Sequence, residues 1–141
     1  MLGSNESWSA WKTRERNASA CYVFSDAISK KPERLDHGRV TLFVRLLRRG
    51  KARTEASLQA GYEFAPVSIR VRVDGKNFNL IPRGKYAWLR RAEREAEFVR
   101  ALQKGRTASV EATSRRGNKT TYSFSLRGFT AMMRKARQGC R

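Results

Sequence analysis

"SIRVRVDGKNFNL", residues 68–80, alternates apolar and polar side chains on either side of an Asp-Gly pair. Ile69, Val71 and Val73 share one face while Arg70 and Arg72 take the other, the period of two that sets one side of a strand on a core and the other in water. Asp74-Gly75 between two such segments is a strong hairpin signal. The stretch therefore predicts two antiparallel strands and, with them, a half-buried sheet.

The same pattern recurs outward from this point. Gly117-Asn118 separates "TASVEAT" from "TTYSFSL" as a second hairpin, and Arg49-Gly50-Lys51 separates "RVTLFVRLL" from "ARTEASLQA" as a third. In "RVTLFVRLL", Val40, Leu42, Val44 and Leu46 fall on one face. Further strands are expected at "WSAWK", "ACYVFSD" and "YAWL".

Two segments follow a helical period instead. "EREAEFVRALQKG" carries Glu93, Glu95 and Glu97 early, Lys104 late and Gly105 just beyond, with Ala92, Ala96, Phe98, Val99 and Leu102 as its buried stripe. Near the C-terminus, Phe129, Met132, Met133 and Ala136 form an apolar stripe, and Arg134, Lys135 and Arg137 point away from it. The expectation is a mainly β fold, a β-sandwich with two helices at about 93–104 and 128–138. At 141 residues the chain suits one domain, which normally buries about 70% of its unfolded surface. Residues 8–141 form that domain, and 1–7 read as a disordered or vector-derived N-terminus.

Charge is the unusual quantity. Thirty-one Lys and Arg against twelve Asp and Glu give a formal net charge of +19. Residues 1–70 hold 13 basic and 7 acidic residues, residues 71–141 hold 18 and 5, so the excess lies in the second half. Such a field favours polyanions: nucleic acid, anionic lipid or acidic polysaccharide. Basic clusters stand at Arg48, Arg49, Lys51 and Arg53, at Arg90, Arg91 and Arg94, at Arg115, Arg116 and Lys119, and at Arg134, Lys135 and Arg137. Binding of nucleic-acid bases would want aromatic residues on an outward strand face, where Phe43 and Phe78 qualify.

Catalytic patterns are scarce. The single histidine, His37, lies in the polar turn "LDHGRV" and reads as solvent-exposed. Glu93, Glu95 and Glu97 are explained by a helix first turn, and "DGKNF" and "RGKYA" lack the residues of a phosphate-binding loop. No enzyme, cofactor or metal centre is expected. No apolar run is long enough for a membrane span. Cys21 and Cys140 fit either one long-range disulfide or two free thiols.

Taken in order, "ACYVFSD", "GYEFAPVSIRVRVDGKNFNL", "YAWL" and "FVRALQKGRTASVEATSRRGNKTTYSFSLRGFTAMMRKARQGC" resemble the invasion-associated locus B (IalB) family of Gram-negative bacterial proteins, over roughly Trp8 to Cys140. The most specific segment is "YSFSLRGFTAMMRKARQGC", where Ser123-Phe124 lengthens the family's strand pattern. The resemblance implies an immunoglobulin-like β-sandwich, made with a signal peptide that is then removed, exported to the periplasm, outer membrane or cell exterior and associated with host-cell invasion. It brings no established catalytic site. A second cysteine pair, which some members carry, would lie near "NLIPRGKYAWL" and is absent here. In the oxidising compartment so implied, Cys21 and Cys140 are expected to pair.

The functional expectation is an exported, non-enzymatic envelope protein whose basic face, Arg115, Arg116, Lys119, Arg134, Lys135 and Arg137, meets lipopolysaccharide, anionic lipid or host glycans. The competing reading is a cytoplasmic nucleic-acid-binding module, which the charge alone would support. The sequence assigns no oligomeric state.

Overall fold

The computed structural model describes residues 1–15, 18–47 and 54–140. Within them eleven strands form one antiparallel sheet: β1 (Gly3–Asn5), β2 (Trp8–Glu15), β3 (Ala18–Asp26), β4 (Ser29–Lys31), β5 (Thr41–Leu46), β6 (Thr54–Gln59), β7 (Ile69–Val73), β8 (Lys76–Arg83), β9 (Tyr86–Leu89), β10 (Thr107–Thr113) and β11 (Lys119–Ser125). Their order is β1-β2-β3-β5-β6-β9-β8-β7-β10-β11-β4. Two helices complete the fold, α1 (Glu95–Lys104), entered through a 3₁₀ turn at Ala92–Arg94, and α2 (Phe129–Gly139). The chain is mainly β with two helices, as its periodicities predict.

The opening hairpin forms with Val73 opposite Lys76, and Asp74 and Gly75 both hold positive φ, 47° and 82°, as a type I′ turn requires. β5 and β6 pair from Thr41 opposite Gln59 to Leu46 opposite Thr54. Residues 48–53 of the segment joining them, with the expected basic cluster Arg48, Arg49, Lys51 and Arg53, lie outside the described residues.

The sheet curls until its ends meet. β3 stops at Asp26 beside β5, while β4 starts at Ser29 beside β11, and between them the Ile28 N–H donates to the Ser123 carbonyl at 2.8 Å. The Trp8 indole N–H, on β2, likewise donates to the Ser125 carbonyl of β11 at 2.8 Å. One continuous sheet folded over a shared core is compatible with the expected sandwich.

Both helices pack against that core. The ring of Phe98 on α1 meets Phe78 edge-on at 4.9 Å, and Phe129 on α2 meets Trp8 in the same way at 4.9 Å. All four rings are fully buried. Burial of each contributes roughly 1.5–3 kcal/mol. Phe78, expected on an outward face, thus points inward, because it continues the inward register of Val71 across the β7–β8 pair.

The α2 stripe is as read, with Phe129, Met132, Met133 and Ala136 buried. The α1 stripe is not. Ala92 and Ala96 are exposed, and the buried set is Glu95, Phe98, Val99, Ala101 and Leu102. Positions 95, 98, 99 and 102 keep strict helical spacing, so the helix has turned a carboxylate inward.

Residues 1–7 are not disordered throughout. Gly3–Asn5 pair with Trp8–Ala10, and the segment lies along α2. Gly128, at the start of α2, holds φ 92° with the Asn5 carbonyl where a Cβ would be, and Leu2 packs against Gly139 at the other end. Cys21, buried on β3, is disulfide-bonded to Cys140 with a Cα–Cα distance of 6.1 Å. The bond ties the end of α2 to the strand beneath it. Among the described residues no helix is long and apolar enough to cross a membrane.

Candidate functional site

Three of the six predicted basic residues meet at one end of the sheet, where β10 turns into β11. The turn is closed by Ser114, whose N–H donates to the Asn118 carbonyl and whose carbonyl accepts from the Gly117 N–H, both at 2.8 Å. Arg115 and Arg116 occupy its tip. The segment 62–64 is held alongside: Phe64 bridges Ser114, the Arg115 N–H donates to the Glu63 carbonyl at 2.9 Å, and the Arg115 guanidinium pairs with the Glu63 carboxylate at 2.5 Å.

These elements border a cleft of about 550 Å³ whose lining includes His37, Tyr62, Glu63, Arg115, Arg116 and Thr120. Its floor is a chain of neutral hydrogen-bonding groups. The backbones of Gly38 and Gly61 touch, so closely that a Cβ on Gly61 would stand 2.8 Å from the Gly38 Cα. That approach brings His37 and Tyr62 to the same strand, β11.

The Pro32 carbonyl can only accept, so His37 Nε2, 2.7 Å away, carries a proton. In the neutral ring Nδ1 then accepts from the Tyr122 hydroxyl at 2.9 Å. The Tyr122 oxygen in turn accepts from Tyr62 at 2.5 Å, and Thr120 Oγ1 lies 2.9 Å from the Tyr62 oxygen. Burial pushes the Tyr122 phenol above its ordinary range, so it stays a neutral donor. Both imidazole nitrogens are engaged by the protein. His37 is therefore buried, not exposed as its polar neighbours suggest: Asp36 and Gly38 form the turn, while the ring swings inward to a tyrosine 85 residues away. Nothing local in the sequence signals that partner.

Above this floor the rim is of mixed charge, with Arg115 and Arg116 beside the Asp36 and Glu63 carboxylates. Arg116 is exposed beside the Arg115–Glu63 pair, and Lys119 opens β11 next to a second depression shared with Arg70 and Glu111. The arrangement suits an anionic group at the rim and hydroxyl or carbonyl groups below it.

The other three predicted residues are elsewhere. Arg134, Lys135 and Arg137 are exposed on α2, where Arg134 and Arg137 border a groove with Gln103 of α1. β11 alone spans seven residues, roughly 20 Å, and α2 begins beyond its far end. The six residues thus make two patches. Of the helix-start carboxylates, Glu97 pairs with Arg94 at 3.0 Å. Glu95 is buried and accepts from the Ala56 N–H at 2.9 Å and the Thr54 hydroxyl at 3.0 Å, bracing α1 against β6.

Comparison with curated proteins and with solved structures gives no match. The family model described as Invasion associated locus B (IalB) protein matches residues 8–137, nearly the whole chain. The tyrosine-containing strand that floors the cleft and most of the helix that ends in the disulfide fall within that match, and the chain belongs to the IalB family.

Proposed function

We propose that the protein is an exported, non-catalytic component of the bacterial envelope that supports host-cell invasion by binding acidic polymers through the β10–β11 end of its sheet. The observation that carries this reading is that Arg115 and Arg116 border a cleft with a hydrogen-bonding floor while Lys119, on the same hairpin, borders the neighbouring depression, in a chain of net charge +19. Lipopolysaccharide, anionic lipid and acidic glycans share the required chemistry: phosphate or carboxylate groups beside hydroxyls. The Cys21–Cys140 disulfide supports a periplasmic, outer-membrane or extracellular setting, since such bonds persist in oxidising compartments. Family membership supports the link to invasion.

The test is retention on immobilised lipopolysaccharide and on vesicles of phosphatidylglycerol. Arg115→Gln, Arg116→Gln and Lys119→Gln combined should weaken binding at least tenfold and flatten its salt dependence. The matching triple change at Arg134, Lys135 and Arg137 should cost less. Undiminished retention of a variant carrying all six changes would defeat the reading.

A further inference from the structure

The outward face of the sheet, away from both helices, carries a row of aromatic and aliphatic side chains. Reading straight across β2, β3, β5, β6, β9 and β8, the paired residues are Ser9, Phe24, Phe43, Ser57, Trp88 and Ile81. The next row brings Trp11 opposite Tyr22, and the row on the other side brings Gln59 opposite Tyr86. The rings touch one another in two groups. Phe24 lies 5.8 Å from Phe43 and 6.3 Å from Trp11, and Tyr86 stacks on Trp88 at 5.9 Å with an interplanar angle of 18°. Between the groups Ser57 leaves a dip. Trp11, Tyr86 and Ile81 remain 36%, 43% and 50% exposed, a costly arrangement for a face with no partner.

Beyond Ile81 the face turns cationic with Arg70 and Arg72 on β7, but over the aromatic patch itself the charges among the described residues are few and mostly opposed. Arg39 lies over the Phe24 ring and binds Asp26 at 2.9 Å, Arg45 stands opposite Glu55, and Arg83 adds one cation. In a protein of net charge +19 this is a nearly neutral island. A single-stranded nucleic acid stacks on aromatic platforms too, but it needs cations along its phosphates, and on this patch Arg39 and Arg45 already face Asp26 and Glu55. A second copy of the chain would bring its own large positive charge to the contact.

We infer that this row is a platform for a neutral glycan chain, a site separate from the basic cleft. Pyranose rings present flat C–H faces that pack on aromatic rings, and their edge hydroxyls can be met by Ser57 and Gln59. Phe43 and Trp88 lie two strand spacings apart, roughly 10 Å, which is about the length of a disaccharide. The dip at Ser57 lets one chain cross both aromatic groups. Stacking supplies the affinity, and the flanking amides and hydroxyls set the orientation of the sugar.

The test uses the whole chain and three neutral probes, cellohexaose, chitohexaose and maltohexaose, followed by tryptophan fluorescence and calorimetry. Trp11 and Trp88 are on the platform, so at least one probe should shift the emission and bind saturably. Trp88→Ala should weaken that binding roughly tenfold or more. Tyr86→Ala, at an exposed site that cannot disturb the core, should weaken it about threefold or more. Arg115→Gln should leave it unchanged, which separates this site from the basic cleft. The inference is overturned if no probe binds, or if binding is indifferent to both Trp88→Ala and Tyr86→Ala in folded protein. It is equally overturned if Trp88→Ala abolishes binding of oligothymidylate, or dissociates a dimer, with no effect on the sugars.

Discussion

The two helices reach the same core by different chemistry. α2 buries Phe129, Met132, Met133 and Ala136, and its end is bonded through Cys140 to Cys21. α1 buries Phe98, Val99, Ala101 and Leu102, but at its first turn it also buries the Glu95 carboxylate, which accepts from the backbone and side chain of β6. Apolar contact tolerates small shifts of a helix along its axis, whereas two hydrogen bonds to one carboxylate do not. α2 is thus held by area and a covalent bond, and α1 by a polar peg that fixes its register.

The largest effect should come from breaking the covalent tie. Replacing Cys140 by Ser removes a cross-link between residues 119 apart, worth about 4–5 kcal/mol in a chain-entropy treatment, and urea denaturation with and without reductant measures it. Phe129→Ala removes a fully buried ring packed on Trp8 and should cost about 3–5 kcal/mol by the same assay. On the other helix, Glu95→Ala leaves the Ala56 N–H and the Thr54 hydroxyl without their acceptor and should cost roughly 2–3 kcal/mol.

A finer separation comes from pH. Burial raises the Glu95 pKa above its ordinary 4.5, against the lowering effect of the hydrogen bonds from Ala56 and Thr54. A carboxyl whose pKa is raised by folding stabilises the fold fully below its unfolded pKa, and that contribution is lost as pH climbs through the folded value. Melting temperatures of the natural chain and of Glu95→Gln should therefore shift in favour of Gln as pH rises from below 4.5 through the raised Glu95 pKa. No comparable dependence should attach to Met133→Leu on α2. The smallest effect should be Ala96→Lys, which the misread stripe would have placed in the core; the side chain is exposed, and the change should stay within about 0.5 kcal/mol.

The contrast also marks what the sequence made legible. The α2 stripe could be read whole because every buried member is apolar, and periodicity sees only hydrophobicity. In α1 the same method chose Ala92 and Ala96, since a buried Glu looks like an ordinary first-turn acid. The hairpin at Asp74-Gly75 and the strands around it were equally legible, because alternation and turn chemistry agree there. β1 and β4 were not: each is only three residues long, too short for a period to show, and β4 pairs with β11 far along the chain. The cleft was half legible: Arg115 and Arg116 announce themselves as a basic turn, but His37 and Tyr62 join them only through contacts with β11. The aromatic row was hidden for the same reason. Its members come from separate strands and share a line only once the sheet's register is set.

The disulfide locks the end of α2 to β3, and the export proposed for this protein would keep that bond oxidised. Fractionation of bacterial cells quenched with a thiol-blocking reagent tests it directly, by asking where the protein is and whether Cys21 and Cys140 were free. An exported protein should be found in the envelope or medium with both cysteines protected until reduction; protein in the cytosol with two blocked thiols would rule that out.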